Sequence, residues 1–117
     1  MKICLSAANK DENGVLNQTF GRCNYFFIFD TENDSYEFYE NPGVTSNHGA
    51  GIAASNFVVE KGVKKVITGN LGPNAINILL DNEIECYKGE EKSLMENIKE
   101  LENGNLTMLK NATKKGH

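Results

Sequence analysis

The sequence predicts an α/β fold: a mixed sheet of five strands with three helices, in the order β-β-β-α-β-α-β-α. Two observations carry this prediction. Before residue 41 the apolar residues fall in short continuous or alternating runs separated by turn formers, the pattern of strands joined by short loops. After Asn41-Pro42-Gly43 the period changes, and helical spacings alternate with short apolar runs, the pattern of strand–helix–strand crossovers. At 117 residues, with 39% hydrophobic and 24% charged, the chain can bury one core and not two.

Residues 1–7 (MKICLSA) are an apolar run ending in small residues, which reads as a buried strand. Residues 9–17 are polar, contain Gly14 and read as a loop. The run Tyr25-Phe-Phe-Ile-Phe29 is aromatic and β-branched, a second strand, and residues 30–34 (DTEND) form a turn. In residues 35–40 Tyr36 and Phe38 fall on one face and Glu37 on the other, which predicts a half-exposed third strand at a sheet edge. A helix follows from Ala50 to Lys61. Ala50, Ala54, Phe57 and Val58 recur at helical spacing, with Gly62 as the stop and Val63 packing back on the last turn. Residues 63–68 (VKKVIT) give the fourth strand. Pro73 suits the first position of the second helix, where its missing N–H costs nothing. Ile76, Leu79 and Leu80 share a face of that helix, and Asn82 is expected to end it in the left-handed conformation. Residues 84–87 are a short fifth strand. Ser93 and Glu96 form a capping box for the third helix, with Leu94, Ile98 and Leu101 on its apolar face and Gly104 as its stop. Residues 1–106 are the expected domain, and residues 107–117, with Lys110, Lys114, Lys115 and His117, read as a flexible basic tail.

Short turns make the first three strands an antiparallel meander, and helical crossovers make the fourth and fifth parallel to their neighbours. The ends of strands one, three and four, the start of strand two and the starts of the first two helices then share one edge of the sheet. Residues 6–17, 19–23, 48–51 and 69–74 converge there, at the edge where open α/β sheets bind ligands.

Composition narrows the classes of function. Acids outnumber bases 16 to 12, for a net charge of -4, which argues against a nucleic-acid binder held by phosphate neutralisation. The longest apolar runs fall far short of a membrane span, and no basic segment followed by an apolar one opens the chain, so the expected location is the cytoplasm. Cys4, Cys23 and Cys86 are widely spaced and lack a Cys-x-x-Cys pair, against a zinc ribbon, a thioredoxin-type motif or an all-cysteine iron–sulfur site.

Three segments could carry chemistry. In residues 68–75 (TGNLGPNA), Gly69 and Gly72 let the backbone approach a ligand ahead of a helix N-terminus that includes Asn74. The same spacing also fits a plain strand–helix turn. In Asn47-His48-Gly49-Ala50-Gly51 the glycines expose backbone donors, and His48 can titrate, donate or ligate a metal, or else pack a helix end, with Asn47 as an N-cap. Arg22, the only arginine, points to a bidentate partner, either an acidic side chain of the fold or an anionic ligand. Cys23 beside it reads as a metal thiolate or as a small buried residue, while Cys4 and Cys86 read as packing residues. The clustered acids read as solvated faces. No Gly-x-Ser-x-Gly elbow, His-Glu-x-x-His or Walker loop is present. The element order is similar to that of ribonuclease-H-like nucleases, but the first strand lacks the acid such chemistry needs.

Taken together, Phe20-Gly-Arg-Cys-x-Tyr-Phe-x-Ile-x-Asp30, Asn41-Pro-Gly with His48-Gly-Ala-Gly51, and Gly62-Val-x-x-Val-Ile-Thr-Gly-x-x-Gly-Pro-Asn-Ala75 closely resemble the dinitrogenase iron–molybdenum cofactor biosynthesis family. That family includes the nitrogenase accessory proteins NifX and NafY, the C-terminal domain of NifB and the small molybdenum–copper orange proteins. The resemblance spans roughly residues 1–106. It implies a ribonuclease-H-like α/β fold with a five-stranded mixed sheet of order 3-2-1-4-5. It also implies non-enzymatic binding or carriage of an anionic iron–sulfur or molybdenum-containing cluster, often without a cysteine cage. Nitrogenase-associated members carry a histidine just before Phe-Gly, where this chain has Thr19, a departure that points to a stand-alone cluster-binding relative.

The expectation that follows is a carrier holding its cluster at the sheet edge through Arg22, His48, Gly49, Gly51, Gly69, Gly72 and Asn74. His48 and Cys23 are the candidate metal ligands, and the partner is a cofactor-receiving protein rather than nucleic acid or membrane. The rival from another class is an enzyme or sensor that binds a phosphate-bearing small molecule at the same helix ends, with His48 as general acid or base. A third is an interaction domain whose motifs only shape turns.

Overall fold

A computed structural model of the chain describes residues 1–47 and 49–112. One mixed sheet of six strands has the order β3-β2-β1-β4-β5-β6. The strands are β1 (Lys2–Ala7), β2 (Tyr25–Asp30), β3 (Ser35–Glu40), β4 (Val63–Thr68), β5 (Glu85–Lys88) and β6 (Thr107–Leu109). The helices are α1 (Ala50–Glu60), α2 (Pro73–Asp81) and α3 (Leu94–Glu102), with a 3-10 turn over Pro42–Thr45 before α1. Pairing of β1 with β2 and β2 with β3 is antiparallel, and β1 with β4 and β4 with β5 is parallel. The five expected strands thus take the expected order in a ribonuclease-H-like α/β fold. The sheet differs by one strand: residues 107–109, read from sequence as part of a tail, pair antiparallel with β5 and bury Leu109. Three residues are too few to show alternation, which is why the sequence does not display this strand.

Alternation along the central strands divides the core between the two faces. Cys4, Phe26, Ile28, Val66 and Cys86 face one side, where Ala54 and Val58 of α1 and Ile76 and Leu79 of α2 cover them. Ile3, Leu5, Phe27, Phe29 and Ile67 face the other, under Leu94 and Ile98 of α3. Burial on both faces is why β1 and β2 read as continuous apolar runs. Each fully buried side chain of this size contributes roughly 1.5–3 kcal/mol. Val63 and Val66 lie in one cluster although three residues apart, because Lys2 pairs with Val63 and Ile3 with Lys65. Lys64 is the extra residue of a bulge, and it resets the alternation.

Helix ends follow the sequence in three of four details. Gly62 and Gly104 take φ of 75° and 74° after α1 and α3, and the Ser93–Glu96 capping box closes in both directions at 3.1 Å. The exception is α2. Asn82 caps it with φ -99°, its side-chain amide donating to the Ile78 carbonyl at 2.8 Å, and the left-handed residue is Glu83, at φ 61°. The asparagine amide is used as a donor to the last turn, so the chain reverses one residue later.

A glutamate in this conformation carries steric cost and places negative charge at the negative end of a helix. Glu83→Asn is therefore expected to raise stability by about 0.5–1 kcal/mol, read as a higher urea midpoint at unchanged slope.

Candidate functional site

The edge formed by the C-terminal ends of β1 and β4 is tied together by hydroxyls. Ser6 Oγ donates to the Asn17 carbonyl at 2.6 Å and lies 2.7 Å from Thr68 Oγ1, fixing the loop after β1 to the end of β4. Beyond them the Asn70 N–H donates to the Gln18 carbonyl at 2.7 Å, and Thr19 bridges to Asn70. Gly69 is glycine because of this approach: a Cβ there would lie 2.6 Å from the Gln18 carbonyl oxygen. Thr19 turns inward on the loop, its N–H and Oγ1 donating to Asn17 Oδ1 at 2.9 and 2.8 Å.

Asn41 organises the next layer. Its buried amide nitrogen donates to the carbonyls of Phe20, Gly21 and Cys23 at 3.2, 3.2 and 2.9 Å, and its Oδ1 accepts from the Gly43 N–H at 2.8 Å. Residues 20–23 are thereby joined to the 3-10 turn. Arg22 adds a second tie, Nη1 donating to the carbonyls of Gly43 at 3.2 Å and Ser46 at 3.0 Å. Among the described residues no carboxylate lies within ion-pair distance of Arg22. The side-chain salt bridge that sequence allowed is absent from this set.

The N-terminal turns of α1 and α2 meet beside these ties. A Cβ on Gly51 would lie 3.3 Å from Ala75 Cβ, and Ser55 Oγ, donating to the Gly51 carbonyl at 2.7 Å, lies 3.3 Å from that of Ala75. Between them opens a cleft of about 350 Å³ lined by residues 19–22, 49–52, 70 and 72–75. Neither helix has a side-chain cap. Gly49 takes φ 70° at the N-cap of α1, and Gly72 is the N-cap of α2. Asn47, read from sequence as a cap, does not serve as one.

Arg22, Gly49, Gly51, Gly72 and Asn74 therefore come together as expected. Gly69 lies behind the cleft rather than on it, and His48 lies outside the described residues. Gly72 stands apart from the other glycines. Its φ of -75° suits any residue and a Cβ would meet nothing within 4 Å, so only open access to the cleft distinguishes it. Ile52, Asn70 and Ala75 also line the cleft. Ile52 has a sequence signal: it falls off the apolar stripe of α1, and it is 41% exposed.

Of its two sequence readings, metal thiolate or small buried residue, Cys23 takes the second. It is buried in the core, off the cleft, its thiol donating to the carbonyls of Tyr25 and Phe20 at 3.3 and 3.4 Å. Burial pushes it up to about 11, more than hydrogen bonds to Ala7 and Asn41 lower it. It stays a neutral thiol.

The electrostatics of the cleft are one-sided. Of 16 acidic residues in the chain none lines it, and among the described residues Arg22 is the one charged side chain that does. Two uncapped helix N-termini add orphan N–H donors and positive dipole ends. Among the described residues no three His, Cys, Asp or Glu side chains group to hold a metal ion. The arrangement is suited to holding an anion by donated hydrogen bonds, not to caging a bare cation.

Residues 1–104 match the family described as dinitrogenase iron-molybdenum cofactor. The chain belongs to that family. It is 33% identical to an uncharacterised protein of Methanocaldococcus jannaschii over 91% of this chain and 89% of the other. The apo orange protein of Desulfovibrio gigas superposes with a TM-score of 0.91 at 25% identity, covering 97% of this chain and 96% of that one. A NifB-like protein of Thermotoga superposes at 0.85 with 30% identity, over 98% of both chains. The chain is thus homologous to iron–molybdenum cofactor family proteins of the NifX, NafY and orange-protein kind, which are non-enzymatic carriers of metal–sulfur clusters in cofactor assembly. Among the described residues no helix is long and apolar enough to cross a membrane.

Burial also raises Cys86 to about 12 and Cys4 in the same direction. Folding thus favours the protonated thiols. Their stabilisation is complete below the ordinary thiol value of 9.0 and is lost as pH rises through about 11 to 12. Urea midpoints are expected to fall across that alkaline range, and all three thiols to resist alkylation near neutral pH until denaturant is added.

Proposed function

We propose that the cleft between the starts of α1 and α2 carries an anionic iron–sulfur or molybdenum-containing cluster as cargo, for delivery to a cofactor-receiving protein in the cytoplasm. The observation that carries the reading is the absence of any acidic side chain among the lining residues of an acidic protein, where Arg22 and two uncapped helix N-termini converge. Sulfide and oxide edges of such clusters accept hydrogen bonds. The N–H groups of Gly51, Ile52, Asn74 and Ala75 and the free part of the Arg22 guanidinium supply charge-assisted donors. His48, one residue before Gly49, is the candidate metal ligand and supplies what the buried cysteines do not. Gly72 leaves the cluster room against the backbone, since a Cβ there would meet nothing within 4 Å, while Gly51 lets the start of α1 approach Ala75 of α2. Holding by donors rather than by a thiolate cage suits a carrier, because release breaks hydrogen bonds and at most one coordinate bond.

Anaerobic reconstitution with ferrous iron, sulfide and molybdate, followed by metal analysis and visible spectra, tests this. The expected result is a coloured, stoichiometric complex. Arg22→Ala should weaken retention by roughly ten- to a hundredfold, the effect of losing a hydrogen bond to a charged group. Gly72→Val should block loading while leaving the urea midpoint nearly unchanged, since its Cβ meets nothing within 4 Å. Protein that stays colourless yet binds a nucleotide tightly at the same residues would favour the phosphate-ligand rival.

A further inference from the structure

β3 is an outer strand of the sheet, and among the described residues the side of its backbone turned away from β2 has no strand partner. Natural edges are commonly protected by charged side chains, lysine above all, by proline, by bulges or by shortness. Of these β3 has only the charges of Glu37 and Glu40. It is six residues long, and it pairs with β2 without a bulge from Tyr25↔Glu40 to Asp30↔Ser35. The other edge strand, β6, has only three residues.

The side chains of β3 show a pattern of their own. Tyr36 and Phe38 lie against Phe27, with ring centroids at 4.9 and 5.0 Å, and so share one face with Glu40. Glu37 and Tyr39 share the other, where the Tyr39 hydroxyl donates to Glu37 and the Tyr39 ring meets Phe57. Around Phe38 the order Tyr-Glu-Phe-Tyr-Glu is complementary to its own reverse.

We propose that β3 pairs antiparallel with β3 of a second copy of this chain, about a two-fold axis at Phe38. An axis perpendicular to the sheet keeps each face on its own side, so only same-face residues oppose one another. Phe38 then meets Phe38, Tyr36 meets Glu40 on either side of it, and Glu37 meets Tyr39 on the reverse face. Every carboxylate of the strand faces a tyrosine, and no acid faces an acid. Other registers lose this match. An axis at Glu37 opposes that residue to itself and Asp34 to Glu40. An axis at Tyr36 opposes Glu32 to Glu40, and an axis at Tyr39 draws in Pro42, which has no N–H to pair. Complementarity in one register selects a second copy over a foreign strand. The shared sheet leaves both clefts open, at its opposite ends. A single strand pair buries less than the about 1,200 Å² of a standard interface, so the dimer is weak and concentration dependent.

Sedimentation from about 10 µM to about 1 mM tests the proposal. The expected result is a mass rising from 12.9 kDa toward twice that value, with concentration-dependent shifts of the Tyr36 to Glu40 amides. Tyr36→Glu should weaken association about tenfold by opposing carboxylates at two places, and adding Glu40→Tyr should restore it by exchanging the partners. The swap separates register from folding, and the amide shifts need no variant at all. A monomer throughout, as expected if a foreign strand is the occupant, overturns the proposal. So does a dimer that Tyr36→Glu leaves unchanged or that the swap fails to rescue.

Discussion

The side chain of Asn41 is the interaction on which the site depends. Residues 20–23 and the 3-10 turn over Pro42–Thr45 have little regular structure between them, yet they must bring Arg22 and the start of α1 to one place. Buried carbonyls in such loops need donors or they destabilise the fold. One amide meets three of those carbonyls and one N–H, so it fixes both loops at once. Gly43 follows from that closure. A side chain there would run into the carbonyl oxygens of Gly21 and Ala50, so the turn can seat only a glycine. Arg22 then spans the same two loops from outside, and the rest of its guanidinium is left at the cleft.

Given that framework, the charge of the cleft follows from topology rather than from composition. Parallel pairing of β1 with β4, and of β4 with β5, requires helices to begin at one edge of the sheet. Two helices that start together place two sets of unpaired N–H groups side by side. The chain keeps its acids away from this point, and an acidic protein thereby has a positive, donor-rich recess here. Such a recess can hold a polyanion whose exchange does not require metal–thiolate bonds to be broken.

Much of this was legible in the sequence because it rests on local signals. The change of period at residue 41, Pro73 at the head of α2 and the capping box at Ser93 each specify their element alone. Convergence of residues 19–23, 48–51 and 69–74 was expected from strand directions, which short turns and crossovers determine, and of these residues 19–22, 49–51, 70 and 72–74 line the cleft. The misses are non-local. Cys23 lies beside Arg22 in sequence, but the chain turns between them and leaves one side chain exposed and the other in the core. Gly69 resembled a ligand-facing glycine, while its need arises from Gln18, far away in sequence. β6 is short enough that only its partner β5 defines it, and Asn82 used its side chain where the sequence suggested its backbone.

The most direct test of the central claim is to follow the amide and arginine side-chain resonances during anaerobic cluster loading. An anion held by helix N-termini and a guanidinium should shift the N–H signals of Gly51, Ile52, Asn74 and Ala75 and the side chain of Arg22. The signals around Cys4, Cys23 and Cys86 should stay in place. Shifts centred on the cysteines, with the two helix starts unmoved, would contradict the account.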